Sequence, residues 1–389
     1  MIIELHLLQS FPVSNLNRDD VGQPKTATFG GHTRGRISSQ CLKRSARQLF
    51  KSYGLDVAET GVRTKRLLQD ATAILKNAGR DEAEAAAVVE QGIAALGFKV
   101  NDKTKLTQYL MFVGRGASEL LAGYCERDWD KLAKAAAAAR VQAARKQTAG
   151  DQKPEDDDRP SKIKPDRKTL DEAARILDAS RVADVALFGR MIADNKDFNV
   201  NAAAQVAHAI STHAVVNEYD YYTAVDDLKP DAESGADMIG TVDFNAACYY
   251  RYANLDLAQL TKNLAGDTDL VDRAARAWLY AFINAVPSGK QNSMAARTMP
   301  DTLLAVVREH GAWNLANAFL KPVTGPDVMA ASTASLLRHF GQLRTFYGDS
   351  SIRTVAGASL SADLTTLPSD EVVTNVDGLV DRTLHAAKA

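Results

Sequence analysis

Residues 15–51 read NLNRDDVGQPKTATFGGHTRGRISSQCLKRSARQLFK, and this stretch carries the strongest local signal in the chain. Eight of its residues are cationic and two, Asp19 and Asp20, are acidic, so its formal charge is +6 in a protein whose net charge is −1. The cations are Arg18, Lys25, Arg34, Arg36, Lys43, Arg44, Arg47 and Lys51. The positive charge is therefore local, and its arrangement bears on both fold and function.

The second half of the stretch predicts an amphipathic helix over residues 38–53. Ser38 and Ser39 are suitable N-cap residues, and the apolar positions that follow recur at helical spacing, as in a core-facing stripe. These apolar positions are Leu42, Ala46, Leu49 and Phe50. On the polar side a cationic row occupies positions i, i+4 and i+8, with Arg44 beside it. The row consists of Lys43, Arg47 and Lys51.

A cationic helix face is often only a solvated surface, but two features favour a polyanion-binding surface here. The row lacks the acidic partners at i±4 that usually accompany a solubilising face. The free N–H groups at the helix start also suit a phosphate, and a cationic loop with four glycines leads directly into them. We therefore interpret the stretch as a binding surface for a polyanion.

The composition is that of an ordinary soluble protein with two or three structural units. The chain has 389 residues, of which 46% are hydrophobic and 24% are charged. No apolar run approaches a membrane span and the first residues lack a signal-peptide pattern, so we expect a cytoplasmic protein. Cys41, Cys125 and Cys248 lie far apart without a CxxC spacing, which indicates reduced thiols.

The remaining pattern predicts an α+β fold. A strand at 2–11 precedes the cationic loop and its helix, and Ala-rich helical segments follow. These segments are 63–78, 81–96, 103–122 and 128–147. Residues 146–168 are rich in charge and proline, which predicts a mobile surface loop.

The second half of the chain predicts further helices, strands and one hairpin. Helices are predicted at 170–178, 268–285 and 326–347, strands at 183–191 and 302–307, and a helix leading into a strand at 201–215. The runs 218–228 and 241–257 are rich in aromatic and β-branched residues and flank a polar segment, so together they predict a long projecting hairpin. The tail beyond 347 is weakly patterned.

Seven motifs occur in the order typical of one known family. They are NLNRDD (15–20), FGGHTRGRISSQCLKRSAR (29–47), DVALFGRM (184–191), AHAISTH (207–213), YTAVDDL (222–228), YYRYANLDLAQL (249–260) and VPSGKQ (286–291). Together they resemble the CasC family of backbone subunits of Cascade, the type I-E CRISPR effector complex, within the RAMP-like Cas-seven superfamily. The charged segment 140–168 and the last sixty residues depart from the family pattern.

The resemblance implies a hand-shaped subunit with a modified RRM-like, or ferredoxin-like, palm, a large helical fingers insertion and a projecting β-hairpin thumb. The palm would comprise residues 1–56, 205–214 and 246–389. The fingers would comprise 57–204, including the loop 146–168, and the thumb 215–245.

The resemblance also implies a non-catalytic, cofactor-free role in RNA binding. Copies of such a subunit, typically about six, polymerise head to tail along one CRISPR RNA (crRNA) together with other Cascade subunits. They hold the guide by its phosphates, which carry no sequence information, while thumbs displace bases at regular intervals. The guide can then pair with target DNA in antiviral defence. A net charge near zero fits such an assembly, because copies that were basic all over would repel one another.

The family's RNA contacts match a set of positions in this chain. The set is Arg18, Lys25, Ser38, Ser39, Gln40, Lys43, Arg44, Arg47, Met191, Lys290 and Gln291. Met238 and Ile239 match a wedge near the thumb tip that holds bases apart. The positions outside residues 15–51 also have simpler structural interpretations. A lone Met is more often a core residue than an RNA contact. Lys290 and Gln291 suit a surface turn, and Met238 and Ile239 suit a small apolar cluster in the hairpin.

The main functional alternative is a metal-dependent endoribonuclease that uses one of two carboxylate pairs, Asp19 with Asp20 or Asp226 with Asp227. Two-metal chemistry needs converging carboxylates, whereas adjacent strand residues point to opposite faces. Hydrogen bonding within a turn or hairpin is therefore the simpler interpretation of both pairs.

Two other interpretations, a metal site formed by a histidine pair and a regulatory nucleic-acid-binding protein, have weaker support. His208 and His213 lie five residues apart, off the i, i+4 spacing of a helical metal pair. A transcription regulator or a general RNA chaperone would need a groove-reading helix or exposed RNP aromatics, and the sequence predicts neither.

Overall fold

The computed structural model describes residues 1–148, 167–192, 196–224 and 238–389. The chain divides into two compact units. The first, here called the sheet unit, comprises Met1–Leu55, Ala203–Thr261 and Val271–Ala389. The second, here called the helical unit, comprises Asp56–Ala202 and Lys262–Leu270. The predicted mixture of helix and sheet is confirmed, and the large sheet is antiparallel.

Eleven strands and twelve α-helices lie within the described residues. The strands are β1 (Ile2–Ser14), β2 (Thr26–Phe29), β3 (His32–Ile37), β4 (Gly61–Thr64), β5 (Met111–Gly114), β6 (Ala204–Val206), β7 (Ala209–Ser211), β8 (Glu218–Ala224), β9 (Met238–Asp256), β10 (Thr302–Arg308) and β11 (Ile352–Ser359). The helices are α1 (Ser39–Leu49), α2 (Leu67–Asn77), α3 (Glu82–Ala95), α4 (Ala117–Arg127), α5 (Trp129–Thr148), α6 (Arg167–Ile176), α7 (Ala183–Phe188), α8 (Leu257–Asn263), α9 (Thr268–Asn284), α10 (Gln291–Met294), α11 (Val328–Tyr347) and α12 (Val376–Lys388).

The predicted first strand lies inside the sheet of the sheet unit, between β10 and β9. Nine described strands form one sheet in the order β11-β10-β1-β9-β7-β3-β2, with β6 and β8 also paired to β9. Strand β1 runs antiparallel to both β9 and β10. Both of its faces are buried, so polar residues such as Glu4 and His6 lie in the interior with Ile3, Leu5 and Leu7. The predicted strand at 302–307 is confirmed as β10.

The buried polar groups of β1 are paired across the sheet. Glu4 forms an ion pair with Arg308 and accepts a hydrogen bond from the Tyr252 hydroxyl at 3.0 Å. His6 Nδ1 lies 2.9 Å from the Tyr250 hydroxyl. Burial, and secondarily the charge of Arg308, lowers the pKa of His6 to about 3, so this imidazole is neutral in the folded protein.

The predicted hairpin at 218–257 is confirmed where it is described. Strand β8 pairs antiparallel with the first part of β9, from Glu218 opposite Phe244 to Ala224 opposite Met238. All seven residues of β8 are exposed. Residues 225–237, which include Asp226 and Asp227, lie outside the described part of the chain.

Two segments have a different secondary structure from the predicted one. Residues 183–191 were expected to form a strand, but Ala183–Phe188 is the short helix α7, which ends at Gly189 with φ of +76°. An apolar run of this length is buried on all sides, so its pattern does not distinguish strand from helix. Residues 201–215 contain no helix, because β6 and β7 pair with β9 despite their alanines.

The helical unit contains a small antiparallel ribbon among its helices. The predicted helices 63–78, 81–96, 128–147 and 170–178 correspond to α2, α3, α5 and α6. The prediction for 103–122 is wrong in its first part, because Met111–Gly114 is strand β5, paired with β4. β-prone residues at 111–113 and this pairing outweigh the helical pattern.

The end of the chain is more structured than its pattern predicted. The predicted helices at 268–285 and 326–347 are confirmed as α9 and α11. Beyond them, β11 forms one edge of the sheet and α12 packs on it. Most of the predicted mobile loop, residues 149–166, lies outside the described part. No helix within the described ranges is long and apolar enough to cross a membrane.

Candidate nucleic-acid interface

Helix α1 begins where the sequence predicted. Ser38 is extended (φ −67°, ψ 146°), and its Oγ accepts a hydrogen bond from the Cys41 N–H at 3.3 Å. The Ser38 N–H donates to Asn17 Oδ1 at 2.8 Å, which fixes the helix start to the loop that precedes it. Leu42 and Ala46 are buried, so the opposite, polar side of the helix faces outward.

That outward side carries the predicted cationic row. Arg44 and Gln40 are exposed, and Lys43 and Arg47 are half-buried. The first turn contains no acidic residue, so the positive end of the helix dipole is not offset locally. Ser39 is half-buried, and its Oγ donates to Gln40 Oε1 at 3.4 Å.

The loop 15–25 folds back beside the start of α1. The Lys25 N–H donates to Asn17 O at 2.9 Å, and the Arg36 N–H donates to Lys25 O at 2.8 Å. Arg18 is exposed and Lys25 is half-buried. These backbone bonds bring both predicted contacts to the same part of the surface as the N-terminus of α1.

Arg34 does not belong to this surface, although the charge count included it. Its side chain is fully buried, Nη1 donates to Ser211 O at 2.9 Å, and Nη2 donates to Phe319 O at 2.7 Å. Burial lowers the pKa of its guanidinium. The adjacent β2–β3 turn packs so tightly that a Cβ on Gly30 would overlap Leu320 O. Arg34 therefore anchors β3, and the exposed charge is smaller than +6.

The loop at 286–297 joins the same surface. The backbone of Gly289 packs directly against the carbonyls of Asn15 and Leu16, leaving no room for a Cβ. Lys290 follows it, half-buried and with a left-handed φ of +50°. The structure thus brings the loop that carries Lys290 beside the beginning of the cationic stretch.

Gln291 is placed differently from its predicted role. Its side chain is buried, and Nε2 donates to Pro287 O at 2.9 Å and to Ala296 O at 3.3 Å. Both amide protons are used within the loop, and Oε1 is an acceptor that cannot bind a phosphate oxygen. Gln291 therefore stabilises the turn that presents Lys290.

Arg36 is a candidate contact that was counted in the sequence but not assigned. Its backbone is bonded to Lys25, and its Nη1 lies 3.3 Å from His208 Nδ1. Burial, then the charge of Arg36, lowers the pKa of His208. The other histidine, His213, instead accepts from the Cys248 N–H at 3.2 Å. The two histidines thus have separate partners.

The three predicted apolar contacts are exposed. Met191 follows α7 in the helical unit and is 84% exposed, so the core interpretation of this residue is wrong. Met238 and Ile239 are 54% and 62% exposed. They stand opposite Ala224 and Thr223 at the described end of the β8–β9 hairpin, on opposite faces of it.

The described carboxylate pair is used in a turn. Asp19 Oδ1 accepts hydrogen bonds from the N–H groups of Val21 at 3.0 Å and Gln23 at 2.9 Å, and Asp20 is exposed. Within the described ranges, no group of three or more His, Cys, Asp and Glu side chains could hold a metal ion. The three cysteines have free thiols.

Comparison with known proteins gives the family of this chain. The family model described as CT1975-like protein matches residues 3–382. The chain belongs to the CT1975-like family. This CT1975-like chain is also similar to a solved chain described as "CRISPR RNA-guided surveillance complex, pre-nicking", with 31% identity and a TM-score of 0.84 over 100% of both chains. A second solved chain, described as "CRISPR RNA-guided surveillance complex", has 27% identity and a TM-score of 0.74 over 100% of both chains. Comparison with curated proteins gives no match.

Proposed function

We propose that this CT1975-like chain is the crRNA-binding backbone subunit of a type I-E Cascade complex, corresponding to CasC. It acts in the cytoplasm without catalysis or cofactors, and it polymerises along the guide RNA. One observation carries the proposal: α1, the loop 15–25 and Lys290 form a single cationic surface in a chain similar to subunits of CRISPR RNA-guided surveillance complexes.

The chemistry of this surface suits binding of a nucleic-acid backbone rather than recognition of a base sequence. Most of its contacts are guanidinium and ammonium groups, which bind phosphates through their charge. The contacts we assign are Arg18, Lys25, Ser39, Gln40, Lys43, Arg44, Arg47 and Lys290, with Arg36 added. A subunit that coats guides of any sequence needs affinity of this kind, because pairing between guide and target supplies the specificity.

The N-terminus of α1 supplies a second kind of phosphate ligand. The N–H groups of Cys41 and Leu42 are bonded to Ser38 Oγ and Ser38 O. The N–H groups of Ser39 and Gln40 precede them in the first turn, where an α-helix offers unpaired donors and a positive partial charge. A phosphate seated there would be bonded by these amides and flanked by Arg18 and Lys43.

We assign the remaining parts of the chain to the palm, fingers and thumb of such a subunit. The sheet unit supplies the palm, the helical unit the fingers, and the β8–β9 hairpin the thumb. The exposed side chains of Met238 and Ile239 form an apolar wedge, and Met191 contacts a displaced nucleotide. About six copies associate head to tail, each thumb reaching its neighbour, alongside other Cascade subunits and the paired target DNA. A non-closing heterologous contact of this kind generates a helical stack.

The nuclease alternative has less support. Asp19 is engaged by two backbone N–H groups, which is the chemistry of a turn rather than of a metal site. We therefore propose that Asp19 and Asp20 shape the loop that carries Arg18. A purified chain that cleaves RNA in the presence of Mg²⁺ would favour the nuclease instead.

Co-expression with a CRISPR array tests the proposal directly. The full chain is purified at moderate salt, and the RNA that remains bound is extracted and sequenced. We expect the bound RNA to be processed guides with all spacers represented evenly, because the contacts are to phosphates. A preparation free of RNA, or one enriched in cellular RNA unrelated to the array, would refute the proposed function.

A further inference from the structure

Strand β9 changes its pairing partner at the root of the β8–β9 hairpin. Its ladder with β1 ends where Asn245 stands opposite Ser14. Its ladder with β8 begins at the next residue, where Phe244 stands opposite Glu218. The sheet unit therefore forks at this point, because β1 passes into the loop 15–25 while β9 continues into the exposed hairpin.

Asn15 lies in this fork and is only 1% exposed. Its Nδ2 donates to Asp243 O in the hairpin at 2.8 Å and to Gly22 O near the tip of the loop at 3.0 Å. A side-chain amide nitrogen has two protons, so both of them are used. The Oδ1 atom has no donor among the described residues, which leaves the nitrogen as the end of the amide that bonds. One buried amide thus joins the two arms of the fork.

Different residues fasten the base and the tip of the loop that carries Arg18. At the base, Asn17 is bonded to the start of α1 and to the last residue of the loop. At the tip, the Asp19 carboxylate closes the turn on itself through two backbone N–H groups. The bond from Asn15 to Gly22 ties this closed turn to the end of β1. Arg18 lies between base and tip, so the direction of its exposed side chain depends on that tie.

The backbone of Asn15 also supports the loop that carries Lys290. A Cβ on Gly289 would overlap the carbonyl oxygens of Asn15 and Leu16, so the two chain segments are in direct contact. A displacement of Asn15 would therefore reach both cation-bearing loops and the root of the hairpin. These three elements meet at one residue.

We propose that Asn15 is a positioning residue that fixes the cationic surface relative to the β8–β9 hairpin. Asn15 is buried and does not itself contact RNA. Its amide sets the direction of Arg18 and holds the root of the hairpin, so that the phosphate contacts and the hairpin of one copy keep a constant spacing. The effect on RNA binding rests on the function proposed above, whereas the joint fastening of loop and hairpin rests on the two hydrogen bonds.

The bonding of Asn15 differs from that of an ordinary turn residue. An Asn in a turn usually bonds to backbone groups close to it in sequence, whereas Asp243 is 228 positions away. The residue type also fits the role closely. A carboxylate of the same shape would face two carbonyl oxygens as an acceptor only, and an apolar side chain would leave both carbonyls without this donor.

The salt dependence of RNA binding separates a positioning role from general stabilisation. The full chain is titrated with a short fluorescein-labelled single-stranded RNA at several salt concentrations. Asn15→Ala removes no charge, yet it should make log K less steep against log salt by about 0.7, the contribution of one phosphate contact. Arg18→Gln should give the same change, and the double variant should match either single variant because both remove one contact. Additive changes in slope would overturn the proposal.

A second buried asparagine of β9 provides the matched control. Asn254 is buried, and its Nδ2 also donates twice, to Gln205 Oε1 and to the Tyr252 hydroxyl, both at 3.1 Å. Asn254→Ala should lower the free energy of unfolding and leave the slope unchanged. If Asn15→Ala does not fold, Asn15→Ser, which keeps one donor, takes its place. A folded Asn15 variant with the wild-type slope would refute the positioning role.

Hydrogen exchange of the RNA-free chain, followed by mass spectrometry, tests the joint fastening without reference to RNA. In Asn15→Ala the backbone amides of 15–25 and of 238–244 should both exchange faster than in the wild type, because both segments lose the same tie. In Asn254→Ala they should exchange at wild-type rates. Faster exchange in only one of the two segments, or in neither, would overturn the proposal. A chain that binds no RNA but shows the joint change would contradict only the proposed function.

Discussion

Replacing two exposed arginines of the cationic surface is the most informative perturbation of RNA binding. Arg18→Gln with Arg44→Gln removes one charge from the loop 15–25 and one from α1, and both side chains are exposed. Substitutions of exposed residues away from packed features change the free energy of unfolding by less than about 0.5 kcal/mol. Any loss of RNA affinity would therefore report on contacts with RNA rather than on folding.

The magnitude follows from counterion release. For single strands each phosphate contact contributes about 0.7 to the slope of log K against log salt, so two contacts contribute about 1.4. If the wild type and the double variant bind RNA equally at 1 M salt, this difference in slope corresponds to roughly a tenfold lower affinity of the variant at physiological salt. Fluorescence anisotropy of a labelled single-stranded RNA at several salt concentrations measures both quantities.

A charge-matched control separates contact from net charge. Arg338→Gln with Arg353→Gln removes two exposed cations from α11 and β11. Among the described residues the change costs one ion pair, Arg353 with Glu309, which is exposed and of little energetic value. The control should bind like the wild type. Equal affinity and equal slope in the two double variants would refute the assignment of the surface around α1.

Three further predictions concern stability. Arg34→Met should lower the free energy of unfolding by about 3 kcal/mol in denaturant titrations, because the buried carbonyls that it binds lose their donors; wild-type stability would contradict its anchoring role. Gly30→Ala should destabilise the chain more than Gly31→Ala, since both have positive φ but only Gly30 faces Leu320 O at close range; equal midpoints would contradict this packing. The pKa of His6 lies below its ordinary value, so the unfolded chain takes up the proton first as pH falls. Between about pH 7 and pH 4 the free energy of unfolding of the wild type should therefore fall by about 3 kcal/mol more than that of His6→Asn. Parallel pH profiles of the two proteins would show that His6 is not buried as a neutral group.

The elements with a strong periodic signal could be predicted from the sequence. The run 2–11 and the stripe through Leu42 and Ala46 defined β1 and α1, and the β8–β9 hairpin was also predictable. Short segments whose structure depends on distant partners were not. Met111–Gly114 becomes a strand because it pairs with Gly61–Thr64, and the segment at 201–215 is extended because β9 lies beside it.

The residues of the candidate site also fall into those that could be predicted from the sequence and those that could not. The cations of α1 and the loop 15–25 were predictable because helical spacing and local charge place them on one surface. Arg34 and Gln291 could not be separated from that set, since only the tertiary structure shows that each is buried and bonded to backbone carbonyls. For Met191 the residue type alone favoured the core, whereas the family resemblance implied an exposed position.

The mass of the RNA-loaded particle tests the central claim most directly. The full chain is co-expressed with a CRISPR array, purified, and measured by native mass spectrometry with collisional release of subunits. The account predicts several copies of this chain on one RNA, with a copy number that rises in proportion to spacer length. A single copy per RNA, or a monomer without RNA, would contradict the claim that the cationic surface of each subunit is one link in a continuous binding surface for the guide.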